Sequence, residues 1–257
     1  MTDTKNSRAA WLQAGDVQCS PEPARSAKPC RLILLGAPGV GKGTQAELLG
    51  QRLGACHLST GDIFRAAKVL SEKERTPALA DALEYMRRGD LVPDATVLAI
   101  VRERGRCLAC AGGYLLDGFP RTVTQAEALE EMLEQKRLPL TGVIDYDLPL
   151  KEIVDRLSGR RTCSGCKAVY HLAARPPRVK DVCDHCGSAL YQREDDRPES
   201  IRVRMNAYQK STRPLIEFYR QRRLLISIPA HGSAEEILQR TLTALNGAAV
   251  ASTEKHV

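Results

Sequence analysis

Leu32-Ile33-Leu34-Leu35-Gly36-Ala37-Pro38-Gly39-Val40-Gly41-Lys42-Gly43-Thr44 is the stretch from which the rest of the chain can be read. Four consecutive apolar residues suit a strand buried on both faces of a parallel sheet. A glycine-rich turn follows at once. The next residues predict a helix from about Gly43, with Ala46, Leu49 and Leu53 on one face and Gly54 placed to end it. In such a strand–turn–helix the glycines let the backbone curl until successive N–H groups point inward at phosphate oxygens, and the helix adds its positive N-terminal dipole. Lys42 can reach the β- and γ-phosphates of a nucleotide. Gly39, Val40, Gly41, Lys42, Gly43 and Thr44 are therefore candidate nucleoside-triphosphate ligands. One detail departs from the general pattern. Gly43 follows the lysine where a Ser or Thr hydroxyl ordinarily meets Mg2+, and the hydroxyl arrives one place later at Thr44.

Outward from this stretch, strand-like runs recur at Cys56–Ser59, Tyr114–Leu116, Val143–Asp147 and Leu224–Ile228. Helical patterns lie between them: Asp94 capping Ala95–Arg104, a segment opened by Thr122 or Thr124 and running to about Lys136, and another begun by Pro149. The alternation predicts an α/β fold, a P-loop NTPase-type five-stranded parallel sheet with helices on both faces. Asp117 ends the Tyr114–Leu116 strand, a place where P-loop proteins hold Mg2+ or its water. Phe64–Val92 and Gly159–Asp196 do not fit a sheet and read as two mobile insertions. After the second, Ile201, Met205, Tyr208, Leu215 and Tyr219 form a helical stripe bent near Pro214.

The net charge of +7, carried by 27 Arg against 11 Lys, suits bidentate contacts to phosphate. No apolar run approaches the ~18 residues of a membrane span. Met1–Pro29 is polar, broken by Pro21, Pro23 and Pro29, and without the apolar centre of a secretory signal. We expect residues 1–30 to be a disordered extension and the protein to be cytoplasmic, with no membrane partner. Its nine cysteines do not suggest a disulfide framework. Cys163-x-x-Cys166 and Cys183-x-x-Cys186 have the spacing of two knuckles that complete a closed, structural Zn2+ site. Cys107 and Cys110 lack a second pair and are expected to be ordinary thiols. A zinc ribbon gripping nucleic acid through Arg175, Arg178 and Lys180 is the rival reading. It has no stacking platform beyond Tyr170 and Tyr191 and interrupts a phosphotransferase pattern, so no nucleic-acid partner is expected.

Four runs in order strengthen that pattern: Gly36–Thr44, Ser59-Thr60-Gly61-Asp62-Ile63-Phe64-Arg65, Leu115-Leu116-Asp117-Gly118-Phe119-Pro120-Arg121, and Asp195-Asp196 followed by Arg204. From about Arg31 to about Ala244 the chain resembles the adenylate kinases, long-form with a zinc-binding lid. The resemblance implies reversible transfer from Mg-ATP to AMP giving two ADP, by a monomer. Residues 31–58, 93–158 and 197–245 would form the P-loop core, 59–92 the AMP-binding arm, 159–196 the lid and 246–257 a C-terminal tail. Lys42, Arg121, Arg160, Arg193 and Arg204 would be the catalytic cations. Arg156, Val169, Tyr170 and Gly232 would join the P-loop and Arg160 around ATP, with Arg156 on its adenine and Val169 and Tyr170 near its ribose. AMP would meet Thr60, Arg65, Asp90, Leu91, Val92, Gly118, Phe119, Pro120, Arg121, Gln125, Arg193 and Arg204. Gln125 would offer donor and acceptor to the base. Asp62 and Asp117 would hold waters around Mg2+. Within the enzyme class, the alternative is a kinase for UMP or CMP, or one with GTP as donor. The segment from Arg65 to Val92 is a few residues longer than in typical members.

Overall fold

A computed structural model describes residues 11–12, 29–68, 70–71, 74–88 and 92–253, side chains of 248–253 excepted. Five strands, β1 (Cys30–Gly36), β2 (Cys56–Ser59), β3 (Gly113–Asp117), β4 (Gly142–Asp147) and β8 (Leu225–Pro229), pair in the order β2-β3-β1-β4-β8. Every pairing in this sheet is parallel. β1 shows why a continuous apolar run was required. Leu32 and Leu34 face a buried cluster with Ala46 and Leu49 of α1 (Lys42–Leu53) and Ile237 and Leu238 of α9 (Ala234–Thr253). Ile33 and Leu35 face the other cluster, with Leu98 of α4 (Asp94–Glu103) and Ala126 and Leu129 of α5 (Val123–Gln135). The chain leaves β1 toward β3 and β2 on one side and β4 and β8 on the other. Its carboxyl end is therefore the switch point where open α/β sheets bind ligands.

The helix boundaries follow local chemistry. Gly54 ends α1 in the left-handed conformation, and Thr122 caps α5 by accepting from the backbone N–H of Gln125 at 3.1 Å. The stripe after the second insertion is α7 (Pro198–Ala207), a π-turn at Tyr208–Thr212, and α8 (Pro214–Gln221). The bend falls at the π-turn, just before the proline.

Two segments leave the sheet. Between β2 and α4 the chain forms α2 (Thr60–Ala67) and α3 (Pro77–Arg88). After α6 (Leu150–Gly159) it forms a small antiparallel sheet in the order β6-β5-β7, from β5 (Arg160–Cys163), β6 (Val169–His171) and β7 (Leu190–Tyr191).

Three expectations are corrected. Residues 1–30 are not disordered throughout: Trp11 is buried in the first cluster with Leu12 packed against it, its ring supplying a large apolar area. Cys30 already belongs to β1. The C-terminal boundary at 246 falls inside α9, which runs unbroken to Thr253. Cys110 is not an ordinary thiol but is disulfide-bonded to Cys56, while Cys107 stands outside that bond. β2 pairs with β3 in a register that sets Cys56 opposite Tyr114, which brings Cys56 beside the turn leading into β3.

Candidate functional site

The glycine-rich turn lies at the carboxyl end of β1. Gly36 has φ 130°, and a Cβ there would stand 2.5 Å from the Tyr146 carbonyl of the neighbouring strand, so only glycine fits. Gly41, at φ 107°, is the N-cap of α1 and leaves the first amides of the helix open. Lys42 folds back over the loop, its Nζ donating to the carbonyls of Gly36 at 2.7 Å and Ala37 at 3.0 Å. Asp117, at the end of β3, brings Oδ2 within 3.6 Å of the point a Cβ on Gly43 would occupy. This is the neighbourhood the missing hydroxyl would have filled. Burial pushes Asp117 up, but the His57 hydrogen bond and the charges of His57, Lys42 and Arg121 outweigh it and hold the carboxyl below its usual value. An ionised carboxylate at this place suits the waters of a phosphate-bound Mg2+ better than direct ligation through residue 43.

Five arginines face the same end of the sheet. Arg121 follows the cis Phe119–Pro120 bond and donates from Nε to the Gly118 carbonyl at 2.8 Å. Arg160 opens β5 and grips buried Asp196 through two bonds, Nε to Oδ2 at 2.7 Å and Nη2 to Oδ1 at 2.5 Å. Arg204 on α7 reaches the Asp195 carbonyl at 2.8 Å and its carboxylate at 3.0 Å. Arg193 donates to the buried Thr162 hydroxyl at 2.9 Å. Arg65 on α2 pairs with Asp62 one turn earlier.

These cations feel one another. Burial lowers Lys42 to about 8, and the charges of Arg121, Arg204 and Arg160 act in the same direction against Asp117. Burial, then Arg160 and Arg65, lower Arg193 to about 10. Desolvation in the cleft, then Arg204 and Arg65, lower Arg121; desolvation, then Arg160 and Arg65, lower Arg204. All five catalytic cations expected from sequence, with Arg65, thus belong to one electrostatically coupled group. A polyanion among them would relieve their mutual repulsion.

Other expected residues lie differently. Arg156 is anchored through its guanidinium N–H groups, which leaves the planar face for a base to cover. It bridges the turn to the β8–α9 loop, donating to the carbonyls of Val40 at 3.1 Å, Ala230 at 2.8 Å and Gly232 at 3.5 Å. Gln125 is buried with its amide engaged, donating to Asp94 at 2.6 Å and accepting from the Arg121 amide at 2.8 Å. Thr60 donates to the Gly118 carbonyl at 2.9 Å, which joins α2 to the Gly118-Phe119-Pro120 turn. Tyr170, like Val169, is a residue expected near the ATP ribose. Its ring turns into the cysteine cluster, where its hydroxyl accepts from the Asp184 amide at 2.8 Å, while Val169 is half-buried beside it. Asp90 and Leu91 lie outside the described residues, and Val92 packs partly buried against the first cluster.

Sequence reasoning assigned no role to four partners. Asp195 and Asp196 were visible as a pair, but not as the carboxylates that aim Arg160 and Arg204. Thr162 and His57 carried no motif signal at all.

Away from this cleft, Cys163, Cys166, Cys183 and Cys186 bring their sulfurs within 4.8 Å of one another. The Cys163–Cys186 and Cys166–Cys183 separations are 3.3 and 3.5 Å. A tetrahedral ion with Zn–S bonds of about 2.3 Å needs sulfurs about 3.8 Å apart, so the four thiols fit zinc with a small outward adjustment. Ligand type and number leave no place for a bound water.

The sequence model of the adenylate kinase family matches residues 34–224. The adenylate kinase of Carboxydothermus hydrogenoformans is 46% identical over 215 residues, 84% of this chain and 99% of that protein. That of Caldicellulosiruptor bescii is 47% identical over 211 residues, 82% of this chain and 95% of its own length. The adenylate kinase of Methanocella arvoryzae is 44% identical over 207 residues, 80% of this chain and 94% of that protein.

Proposed function

The chain belongs to the adenylate kinase family, and on that premise we propose how its residues divide the work of moving a phosphoryl group from Mg-ATP to AMP to give two ADP. The observation that carries the reading is the coupled cation group around Lys42 at the switch point of the sheet. The acceptor is itself an anionic phosphate, so the chemistry asks for alignment and charge neutralisation and not for a strong general base. The P-loop amides and Lys42 hold the ATP phosphates. Arg65 and Arg121 grip the AMP phosphate, and Arg160, Arg193 and Arg204 stand between the nucleotides. Mg2+ arriving with ATP would supply charge neutralisation to the phosphates, and Asp117 and Asp62 would order its waters. The α2–α3 segment is the AMP arm and the small β5–β7 sheet is the ATP lid. Their closure excludes water that would otherwise hydrolyse ATP. Zinc in the lid is structural. Arg156 keeps the ATP base pocket in shape by holding its loop, and Gln125 exchanges its Asp94 bond for one to the AMP base. The protein acts as a cytoplasmic monomer without nucleic-acid or membrane partners. Among the described residues no helix is long and apolar enough to cross a membrane.

A coupled assay with Mg-ATP and AMP, GMP, CMP or UMP in turn tests the acceptor. ADP formation with AMP alone is expected, and turnover led by another monophosphate would overturn the base assignment.

Lys42 gives the reading a pH signature. At about 8 in the free protein, it is partly neutral in mildly alkaline solution. Bound phosphate favours the ammonium and raises this pKa, so binding takes up a proton. Mg-ATP affinity should weaken as pH rises through about 8, by up to tenfold per unit. Calorimetry at pH 8 in buffers of different ionisation enthalpy should report proton uptake that Lys42→Arg abolishes, and none at pH 6.5. The ligand-free protein has the opposite dependence. Between about 8 and 10.5 the unfolded chain holds the extra proton, so this group makes stability rise with pH.

A further inference from the structure

Trp11 lies upstream of the family match, which begins at residue 34, and is the one tryptophan in the chain. Its ring is 1% exposed, in the same cluster as Ile63 and Ala67 of α2 and Leu98 and Val101 of α4. Its indole N–H donates to the Ser59 carbonyl at 2.9 Å, and its own carbonyl accepts from Arg104 Nε at 2.7 Å. Both bonds are buried. Ser59 is the residue at which the chain leaves the sheet for the arm. It ends β2 and caps α2 by accepting from the Asp62 amide at 3.3 Å. Arg104 follows α4, on which the chain comes back from the arm, and it is 2% exposed. Its remaining bonds go to the Ile100 carbonyl at 2.9 Å and to Glu103 at 3.2 Å. Trp11 therefore ties the outgoing and returning ends of the arm together.

We propose that Trp11 is a positioning residue for the acceptor site, holding the base of the arm so that Thr60 and Arg65 present the right geometry to the monophosphate. An N-cap carbonyl already accepts the first bond of its helix, and its second lone pair is free for another donor. The indole takes that place and fixes the direction in which α2 leaves the sheet. Thr60 follows Ser59 directly and reaches the Gly118 carbonyl, and Arg65 lies on the same helix. Trp11 also gives buried Arg104 an acceptor that the kinase core does not supply. A segment outside the catalytic fold thus sets one of its two substrate sites.

The inference rests on the α2–α3 segment being the acceptor arm, and the test separates the two. Trp11→Phe keeps the apolar ring and removes the N–H. It should raise KM for AMP by about three- to tenfold, the scale of one buried hydrogen bond, with KM for ATP nearly unchanged and the melting temperature lowered by only a few degrees. Trp11→Ala should go further in the same direction. In the wild-type protein AMP alone should shift tryptophan emission, and ATP alone should not. Unchanged KM for AMP in Trp11→Phe, or equal rises for both substrates, would overturn the proposal. Arg65→Ala checks the premise. A raised KM for AMP there supports the arm whatever Trp11 does, and an effect on ATP alone would remove the arm assignment itself.

Discussion

Arg121→Ala should cost about two to three orders of magnitude in kcat/KM for AMP while leaving the protein folded, the usual scale for deleting one preorganised charged donor. The separation of function from stability follows from how residue 121 is held. Its amide donates to Gln125 at 2.8 Å and its carbonyl accepts from Thr212 at 3.0 Å, both through backbone atoms that alanine keeps. Among the described residues the side chain makes one bond, to the Gly118 carbonyl, and stays exposed to the cleft. Losing it also removes a cation that lowers Lys42, so the lysine pKa should rise toward its ordinary value. Steady-state kinetics, with a melting curve as control, checks this. Near-normal turnover in a folded variant would reject the role.

With zinc in the four-cysteine cluster as proposed, its removal should have the largest effect on stability. The buried apolar cluster of the lid consists of Cys163, Tyr170, Cys183 and Leu190, and two of these four are candidate ligands. Strands of four, three and two residues cannot replace that cohesion. Structural zinc contributes on the order of 10 kcal/mol of apparent binding free energy in small zinc domains, and binding there is folding. After chelation, calorimetry should show an early lid transition separate from core melting, and turnover should fall because Arg160 and Arg193 lose their mounting. A melting curve unchanged after elemental analysis confirms metal loss would count against structural zinc.

Much of this molecule was legible in advance because its signals are local. The Leu32–Leu35 run, the glycines at positive φ and the lysine describe strand, turn and helix without reference to the rest of the chain. Cys163-x-x-Cys166 and its partner pair likewise carry their geometry in their spacing. What escaped reading depends on residues meeting across the fold. Trp11 sits in a polar, proline-broken segment with no periodicity, and only the pocket beneath α2 and α4 explains it. The Cys56–Cys110 bond depends on the parallel register of β2 against β3. Tyr170 could face either side of a three-residue strand, and the cysteine cluster decided which. Asp196 reads as one acidic residue among several until Arg160 is placed against it.

That last pair bears on the construction of the enzyme from parts. Arg160 and Asp196 stand 36 positions apart in sequence, at the two ends of the second insertion, and are joined side by side. The core therefore sees this excursion as a loop already closed at its neck. Closure entropy grows only with the logarithm of length, about 0.6 kcal/mol per doubling, so lids of quite different size can be grafted onto the same neck at small cost to the core. The stapled ends make the tip exchangeable and leave the neck, with its arginines, as the part on which the proposed phosphoryl transfer depends.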